Sequence, residues 1–570
     1  MRIDAKQEGP RQSMSWLHTW ASLILGWLLY AIFLTGTLSF FQNEITVWMK
    51  PELHQSVPQN SQIQQTQVAL NYLQKNHPNA GSWNIQLPNA RQNTTILTVR
   101  KIGEDPRARR GGERITLDSA TGEVLEARDT RGGSFLYRFH FELYGLPRLW
   151  TRWLVGIATL LMLVAIISGV ITHKKIFKDF FSFRAGKGQR SWLDAHNATA
   201  VLALPFHIMI TFSGLLLLLF TLMPWGINQI YENRGQFLQE QSRALVENKE
   251  NRNERAEGRN TERQNNSQAR GKNTEQAGEK RQQRQKPEAQ PAPLADIAPI
   301  LATAQQKWKD NPVGSISIIA PNTNQGTIEL RALLGESVAH RNVYDSLEFN
   351  AVTGQNITDD SSRLKNPSVP MAIYNVVTVL HEARGVDLAL RWLLFCSGIV
   401  GTLMVATGLI LWCVKRAQQQ QKQGYKSFGY RIVEVTNITA IIGLPLACAA
   451  YFYANRFIPA QMELRSDWEI RSFFIIWLLS LIYAALRPHR QAWLELLAFA
   501  TLAFALLPVI NFMTGGQALW NSIANGQWMI ASFDLAMWLL AILFFYSYQK
   551  VKNHKGLPVK KAKVTQEPEA

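Results

Sequence analysis

Six histidines lie in or beside long apolar stretches of this 570-residue chain. They are His18, His140, His173, His196, His207 and His381. Ligating side chains are costly inside a lipid bilayer, so their presence there usually marks a functional site. Neutral imidazole is a common ligand of transition metals and of haem iron. A lone interfacial histidine more often hydrogen-bonds a headgroup or a carbonyl, and it is the arrangement of the set that favours ligation.

His18 and His196 begin two copies of one sequence pattern. In each copy a hydroxyl residue and a glycine follow the histidine by seventeen residues, as Thr35-Gly36 and as Ser213-Gly214. Two repeats with the same membrane orientation are related by a two-fold axis along the membrane normal, so equivalent residues are expected to approach each other. Two facing imidazoles suit the two axial positions of a planar cofactor.

His140 and His381 hold matched positions ahead of the second helix of each copy. The triplet Arg-Trp-Leu follows His140 by twelve residues and His381 by ten. Sixteen residues after each arginine come Ser168-Gly169 in the first copy and Thr407-Gly408 in the second. Small residues in these helices favour close helix approach, and they also leave room for a flat macrocycle.

His207 and His173 have no histidine counterpart in the repeat, because the matching positions hold Leu29 and Trp412. On a straight helix, His207 would lie within about 20° of the face of His196 and about 16 Å further along the axis. Membrane cytochromes hold two haems with ligands stacked in this way. Pro205 is expected to bend this helix.

Depth in the membrane sorts the histidines without fixing their pairs. His18, His173 and His196 share the inner level and are candidates for an inner haem. His207 lies beyond the middle of the bilayer, where its candidate partners are His140 and His381. The pairing stays open at this stage.

Eight apolar stretches are each close to the roughly 20 residues that cross a bilayer as a helix. They lie at 16–41, 149–172, 195–222, 389–414, 432–454, 469–486, 492–512 and 527–548. The first is too long for a cleaved signal peptide and lacks its small-residue site, so it is expected to be an anchor. The sequence predicts an α-helical polytopic membrane protein with eight transmembrane helices.

Basic residues concentrate in alternate connections between these stretches. They fill the segments 1–15, 173–194, 415–431, 487–490 and 549–570. Cytoplasmic loops carry the excess of Lys and Arg, so both termini are expected in the cytoplasm. The two long loops, 42–148 and 223–388, are then expected outside.

The two outer loops contain a repeat of their own. ITLDSATGEVLE at 115–126 resembles LEFNAVTGQNIT at 347–358, and each predicts a strand, a Thr-Gly turn and a second strand. A helix-like stretch precedes each hairpin, near 62–76 and 293–308. The pattern predicts two small α+β domains, at 42–148 and 293–388.

Two parts of the chain carry no assignable chemistry. Residues 223–292 include a polar linker at 236–292 that cannot bury enough apolar surface to fold. The module of the last four helices, 432–548, holds no histidine within its spans.

Composition excludes several classes of protein. The formal net charge of +18 is explained largely by basic cytoplasmic loop ends facing anionic lipid, so nucleic acid is not an expected partner. The three cysteines, Cys396, Cys413 and Cys448, fall within predicted spans and form neither a haem-attachment motif nor a disulfide framework. No Gly-rich dinucleotide fingerprint or Walker motif is present. A redox function would therefore need a separate electron donor.

Three segments carry a family resemblance. They are WLHTWASLILGWLLYAIFLTGTLSFF at 16–41, DAHNATAVLALPFHIMITFSGLLLLL at 194–219 and LHEARGVDLALRWLLFCSGIVGTLMVATGLILW at 380–412. With the two Thr-Gly hairpin domains between them, they resemble the PepSY-associated transmembrane family over roughly residues 14–415. Smaller members of that family end after the fourth helix.

Within that family, the chain looks most like iron-regulated proteins of the Gram-negative inner membrane that include haem-containing ferric-siderophore reductases. The resemblance implies b-type haems held by membrane histidines, which pass electrons outward to a ferric siderophore in the periplasm and free ferrous iron. The two levels of histidines favour two haems, and the separate donor is expected to be a cytoplasmic reductase or quinol. It supports as ligands His18, His196 and His207 in the helix motifs and His140 and His381 at the outer rim. His173 sits in a less distinctive context, and no catalytic residue at the substrate is assigned.

Two alternatives come from other functional classes. A non-enzymatic regulator or chaperone is suggested by the association of isolated PepSY-like domains with protease propeptides, but it gives the matched histidines no task. A siderophore or iron transporter fits a parallel duplication. The spans hold almost no acidic residues beyond Glu495 and Asp534, which argues against a proton-coupled path.

Overall fold

The structure is a computed structural model. It describes residues 9–554 apart from gaps at 59–60, 109–110, 174–176, 178–179, 181–182, 224, 226–228, 230–288, 336, 340–343 and 359–368. The linker predicted at 236–292 lies outside the described residues except for its last four positions.

The first repeat runs from the N-terminus through one outer unit to a long helix. Its elements are α1 (Pro10–Ile24), α2 (Gly26–Ser39), α3 (Gln42–Trp48), α4 (Gln62–Asn76), β1 (Ser82–Gln86), β2 (Thr95–Arg100), β3 (Glu113–Leu117), α5 (Gly133–Glu142) and α6 (Arg148–Thr172). Ser61 caps α4 by accepting a hydrogen bond from the backbone N–H of Gln64.

The second repeat follows the same order of elements. They are α7 (Gln189–Leu202), α8 (Leu204–Leu222), α9 (Ile297–Trp308), β4 (Val313–Ile319), β5 (Thr327–Gly335), β6 (Tyr344–Asn350), α10 (Val369–Glu382) and α11 (Leu388–Gln423). The long helix α11 starts at a capping aspartate, Asp387, and ends at Gly424, whose φ of 75° breaks the helix.

The C-terminal module consists of the helices after α11. They are α12 (Phe428–Phe457), α13 (Arg465–Leu486), α14 (His489–Met513), the short α15 (Leu519–Ala524) and α16 (Trp528–Lys552). Helix α12 passes through one π-helical turn at Thr439–Gly443.

Six described helices are long and apolar enough to cross a membrane, and the number rises to eight if two bent pairs each form one span. One pair is α1 and α2, which meet at 65°. The other is α7 and α8, which meet at 67°. The bend expected at Pro205 is present, since this residue lies in the first turn of α8. The bend between α1 and α2 lies at Leu25, where no proline in the sequence predicts it.

The two outer units share one sheet, whereas the sequence predicts two separate domains. All six strands are antiparallel, in the order β3-β2-β1-β4-β5-β6, and the join is between β1 and β4. Trp83 and Ile85 lie opposite Ile318 and Ile316, and these side chains pack with α4 and α9 in one core. The pairing of β1 with β4 could not be predicted from the sequence, because edge strands pair through backbone hydrogen bonds that depend little on the side chains.

The Thr-Gly turns form as expected, with φ of 77° at Gly122 and 69° at Gly354. The second strand of each predicted hairpin is reduced to a single bridge, Leu117 to Val124 and Phe349 to Asn356.

The C-terminal module binds the segment that leads into α5. Tyr451 donates a hydrogen bond to the Gly132 carbonyl at 3.0 Å, and Phe135 packs against Tyr451 and Phe473. Thr130 donates to Glu469 at 2.6 Å, and Arg465 pairs with Glu469 at 2.8 Å with both side chains almost fully buried. The module therefore packs against α5 and the segment that leads into it.

Changing Glu469→Gln is expected to lower the free energy of unfolding by about 3–5 kcal/mol, because it leaves the buried Arg465 guanidinium without its counter-charge. The measurement is the midpoint of thermal unfolding in detergent micelles. Glu495→Gln is the matched control, since Glu495 pairs with Arg487 where both side chains are exposed. Equal shifts in the two variants would show that the buried pair contributes no more than the exposed one.

Candidate histidine-pair sites

His18 and His196 form an inner pair. His18 lies on α1 and His196 on α7, and their ring centroids are 6.2 Å apart with an interplanar angle of 59°. These are the equivalent first helices of the two repeats. The structure thus brings together the two histidines that the seventeen-residue spacing matched.

His140 and His381 form an outer pair. His140 lies on α5 and His381 on α10, and their ring centroids are 6.0 Å apart with an interplanar angle of 49°. The partner of each is its repeat equivalent. His207, the other partner considered for this level, is in neither pair.

Each ring of the inner pair is anchored to the long helix of its own repeat. Nδ1 of His18 lies 2.9 Å from the Ala165 carbonyl on α6. Nδ1 of His196 lies 2.9 Å from the Met404 carbonyl on α11. A carbonyl can only accept, so both Nδ1 atoms carry a proton and both Nε2 atoms keep a lone pair.

The outer pair is anchored in a similar way. Nδ1 of His140 donates to the Ile32 carbonyl on α2 at 2.7 Å. Nδ1 of His381 lies 2.7 Å from the Ser213 hydroxyl on α8, which itself donates to the Met209 carbonyl. Burial lowers the pKa of His140, and the hydrogen bond to Ile32 opposes this shift. The ring is therefore neutral near pH 7.

A glycine lies under each of the four rings. A methyl group would come within 2.6 Å of the His140 ring at Gly36, 3.0 Å of His196 at Gly408, 3.2 Å of His18 at Gly169 and 3.4 Å of His381 at Gly214. For three rings, the carbonyl that anchors Nδ1 lies four residues before the glycine, one helical turn away. Each hydroxyl-glycine pair of the repeat is thus a seat for one imidazole.

This role of the glycines was missed from the sequence. Other small residues in these helices do serve close helix approach: Gly26 faces Leu409 and Gly156 faces Leu222. The signal that separates the two roles was available, because only the seat glycines follow a hydroxyl residue at the fixed offsets of sixteen and seventeen.

Both pairs have the spacing of imidazoles that share one metal atom. A bond from metal to imidazole nitrogen is about 2.0 Å, and the ring centroid lies about 1.2 Å further back, so two rings on opposite sides have centroids about 6.4 Å apart. The observed separations of 6.2 and 6.0 Å are close to this value. The fixed Nδ1–H is the usual outer hydrogen bond of a metal-bound histidine.

A bare metal ion would need more protein ligands than a pair supplies. In the described part of the chain, no group of three or more His, Cys, Asp and Glu side chains is placed to hold such an ion. Two histidines suit a metal whose remaining positions are filled by a macrocycle. The glycine seats leave room for the imidazole rings, mainly beside their Cε1 and Nδ1 atoms.

His207 lies apart from both pairs. It is fully buried on α8, edge-on to Phe33, and Gly401 lies next to its Nε2. Among the described residues, neither of its ring nitrogens has a hydrogen-bond partner. The straight-helix spacing from His196 does not apply, because the 67° break at Ala203 separates the two residues. His173 directly follows α6, where its backbone N–H donates to the Gly169 carbonyl, and its ring belongs to neither pair.

The apolar helices and the repeated order of elements indicate a multi-pass membrane protein that contains two half-buried histidine pairs. A family model described as the PepSY-associated TM region matches residues 15–415. The chain belongs to this family, which confirms the resemblance at that level. The match covers both repeats and ends before the C-terminal module. The comparison with curated proteins gave no match.

Proposed function

We propose that this protein is a b-type cytochrome of the bacterial inner membrane that reduces a ferric siderophore at the periplasmic face and releases ferrous iron. The observation that carries the proposal is the close approach of two imidazole couples, His18 with His196 and His140 with His381. The regulator and transporter alternatives give these couples no task.

His18 and His196 would hold one haem b, and His140 and His381 the other. When bound, these groups supply one-electron redox chemistry at two depths of the membrane. Haem fits the residues present because the ring centroids of the two couples are 6.2 and 6.0 Å apart and because glycine seats flank the rings.

The remaining residues of each site hold the imidazoles in place. The carbonyls of Ala165, Met404 and Ile32 and the hydroxyl of Ser213 fix the tautomer and orientation of each ring. These hydrogen bonds also raise the electron density on Nε2, which strengthens its bond to a metal. Because the rings are already oriented, little conformational entropy is lost on binding.

The reaction needs no proton donor at the iron. The chain takes one electron at a time from a separate donor, either a quinol or a cytoplasmic reductase, and each electron converts one chelated Fe³⁺ to Fe²⁺. Catecholate and hydroxamate oxygens are hard ligands that hold Fe²⁺ far less tightly, so the reduced ion leaves the chelate.

A direct test is to mix anaerobically reduced, purified protein with a ferric siderophore and a ferrous-specific dye. We expect the visible bands of the protein to become oxidised while one ferrous ion is trapped for each electron lost. The gallium complex of the same siderophore is the control, because Ga³⁺ is not reduced. Bands that stay reduced with ferric catecholates and ferric hydroxamates alike would refute the reductase function.

A further inference from the structure

The open face of the six-stranded sheet carries a polar cleft of about 660 Å³. Its floor is formed by β1, β2, β3, β4 and β5, and one wall is formed by Pro106, Arg107, Ala108, Gly111 and Gly112 of the β2–β3 connection. The volume is within the roughly 300–1,000 Å³ typical of small-molecule sites. The cleft crosses the join between β1 and β4, so both outer units contribute to it.

The polarity of this face follows from strand alternation. The apolar residues of β1 and β4 point toward α4 and α9, so their neighbours Asn84, Gln86, Ser315 and Ser317 point into the cleft. An antiparallel sheet often leaves one face to water. A sheet face that is merely exposed to water needs no wall of chain beside it. It also needs no cluster of positively charged side chains.

Among the described residues that line the cleft, four are arginines and Glu329 is the one carboxylate. They come from different elements: Arg100 from β2, Arg107 from the wall, Arg114 from β3 and Arg331 from β5. Arg331 lies 3.0 Å and Arg107 3.7 Å from Glu329, and Arg100 donates to the Ala108 carbonyl at 2.6 Å. The lining thus has an excess of three positive charges, four guanidiniums less one carboxylate.

The donors define the chemistry of a ligand. Guanidinium groups bind planar oxyanions with paired hydrogen bonds, and the amides and hydroxyls of the floor add neutral donors. The lining offers little apolar surface beyond Pro106 and Ala108. A small, multiply charged, oxygen-rich anion matches this surface, whereas a neutral ligand would leave the positive charges uncompensated.

We propose that this cleft captures the ferric siderophore as a multivalent anion, through catecholate or carboxylate oxygens, and that it selects against neutral hydroxamate complexes. This inference rests on the proposed function for the identity of the ligand. The cleft attracts and holds the chelate, and the histidine pairs lie in the helical bundle.

Binding is measured by isothermal titration calorimetry on the oxidised full-length protein in detergent, with the trianionic tris-catecholate of Ga³⁺ as probe. Arg114→Gln and Arg331→Gln are each expected to weaken binding by about three- to tenfold, and Glu329→Gln to strengthen it. Lys75→Gln, an exposed lysine at the end of α4 on the opposite layer, is the matched control and is expected to bind as the wild type does. High salt is expected to weaken binding, because exposed charges are screened.

Unchanged affinity in both arginine variants, or equal affinity for a neutral Ga³⁺ trihydroxamate, would overturn the proposal. Inorganic phosphate binding as tightly as the chelate would also overturn it, because the cleft would then be a general anion site. Ga³⁺ does not accept an electron from the protein, so calorimetry with gallium complexes measures binding alone and can fail independently of the reductase assay. Tight binding without electron transfer would support the binding role of the cleft and would contradict the proposed reductase function.

Discussion

Purified protein carrying His196→Ala is expected to contain about one haem per chain where the wild type contains about two. The substitution removes one of the two imidazoles that would hold the inner haem, and His18 alone would not replace the lost bond. The outer pair is built from other helices, α5 and α10, and is expected to keep its cofactor. His140→Ala should give the converse result, with the inner haem retained. Pyridine haemochrome extraction gives the count, and redox titration shows which of two midpoint potentials is lost.

His207→Leu is the control for this experiment. His207 is buried beside Phe33 and belongs to neither ring pair, so the variant is expected to keep both haems. Loss of a haem from His207→Leu together with full retention in His196→Ala would reverse the assignment of ligands.

Gly36→Ala is expected to displace the His140 ring and to remove or greatly weaken the outer haem. The new methyl group would lie 2.6 Å from both Nδ1 and Cε1, closer than nonbonded atoms can approach. The ring cannot yield by a small rotation, because its Nδ1 is held at 2.7 Å by the Ile32 carbonyl. A single methyl group is thus expected to act nearly as strongly as removal of the imidazole.

Gly214→Ala is the matched control at the other half of the same site. Its methyl group would lie 3.4 Å from the His381 ring, an ordinary contact distance. Low-temperature electron paramagnetic resonance separates the two variants, because the spectrum of a low-spin haem depends on the angle between its two imidazoles. Identical spectra and haem counts for Gly36→Ala and Gly214→Ala would contradict the role of these glycines as seats.

The internal repeat identified which histidines are equivalent, and the structure shows that the equivalent histidines lie together as pairs. The offset from His18 to its hydroxyl-glycine pair equals the offset from His196 to its own pair, because the two copies form the same arrangement of helices. The structure adds the reason for the motif, since Gly36, Gly169, Gly214 and Gly408 each receive an imidazole from a different helix. A single-helix pattern cannot reveal such a contact, because the partner lies more than one hundred residues away in each case.

Other features depended on tertiary context. The inference from His196 to His207 failed because it assumed a straight helix, although Pro205 had warned of a bend. No proline lies at the break at Leu25. Leu25 is the repeat equivalent of Ala203, where the second bent pair breaks. The single six-stranded sheet was hidden because strand β1 pairs with β4 through backbone groups some 230 positions apart in sequence.

The C-terminal module contacts the segment that leads into the helix carrying His140. Its helices α12 and α13 hold the segment before α5 through Tyr451, Arg465 and Glu469, and α5 carries His140. The module therefore supports the outer pair without contributing a ligand to it. This contact was invisible in the sequence, since the charged residues involved lie at the ends of otherwise ordinary apolar helices.

The most direct test of the two-pair assignment is the visible and electron paramagnetic resonance spectrum of the wild-type protein, purified from cells supplied with haem. We expect two low-spin, bis-imidazole b haems per chain, with two separable midpoint potentials. A spectrum with no haem bands, or with one haem in a high-spin state, would contradict it.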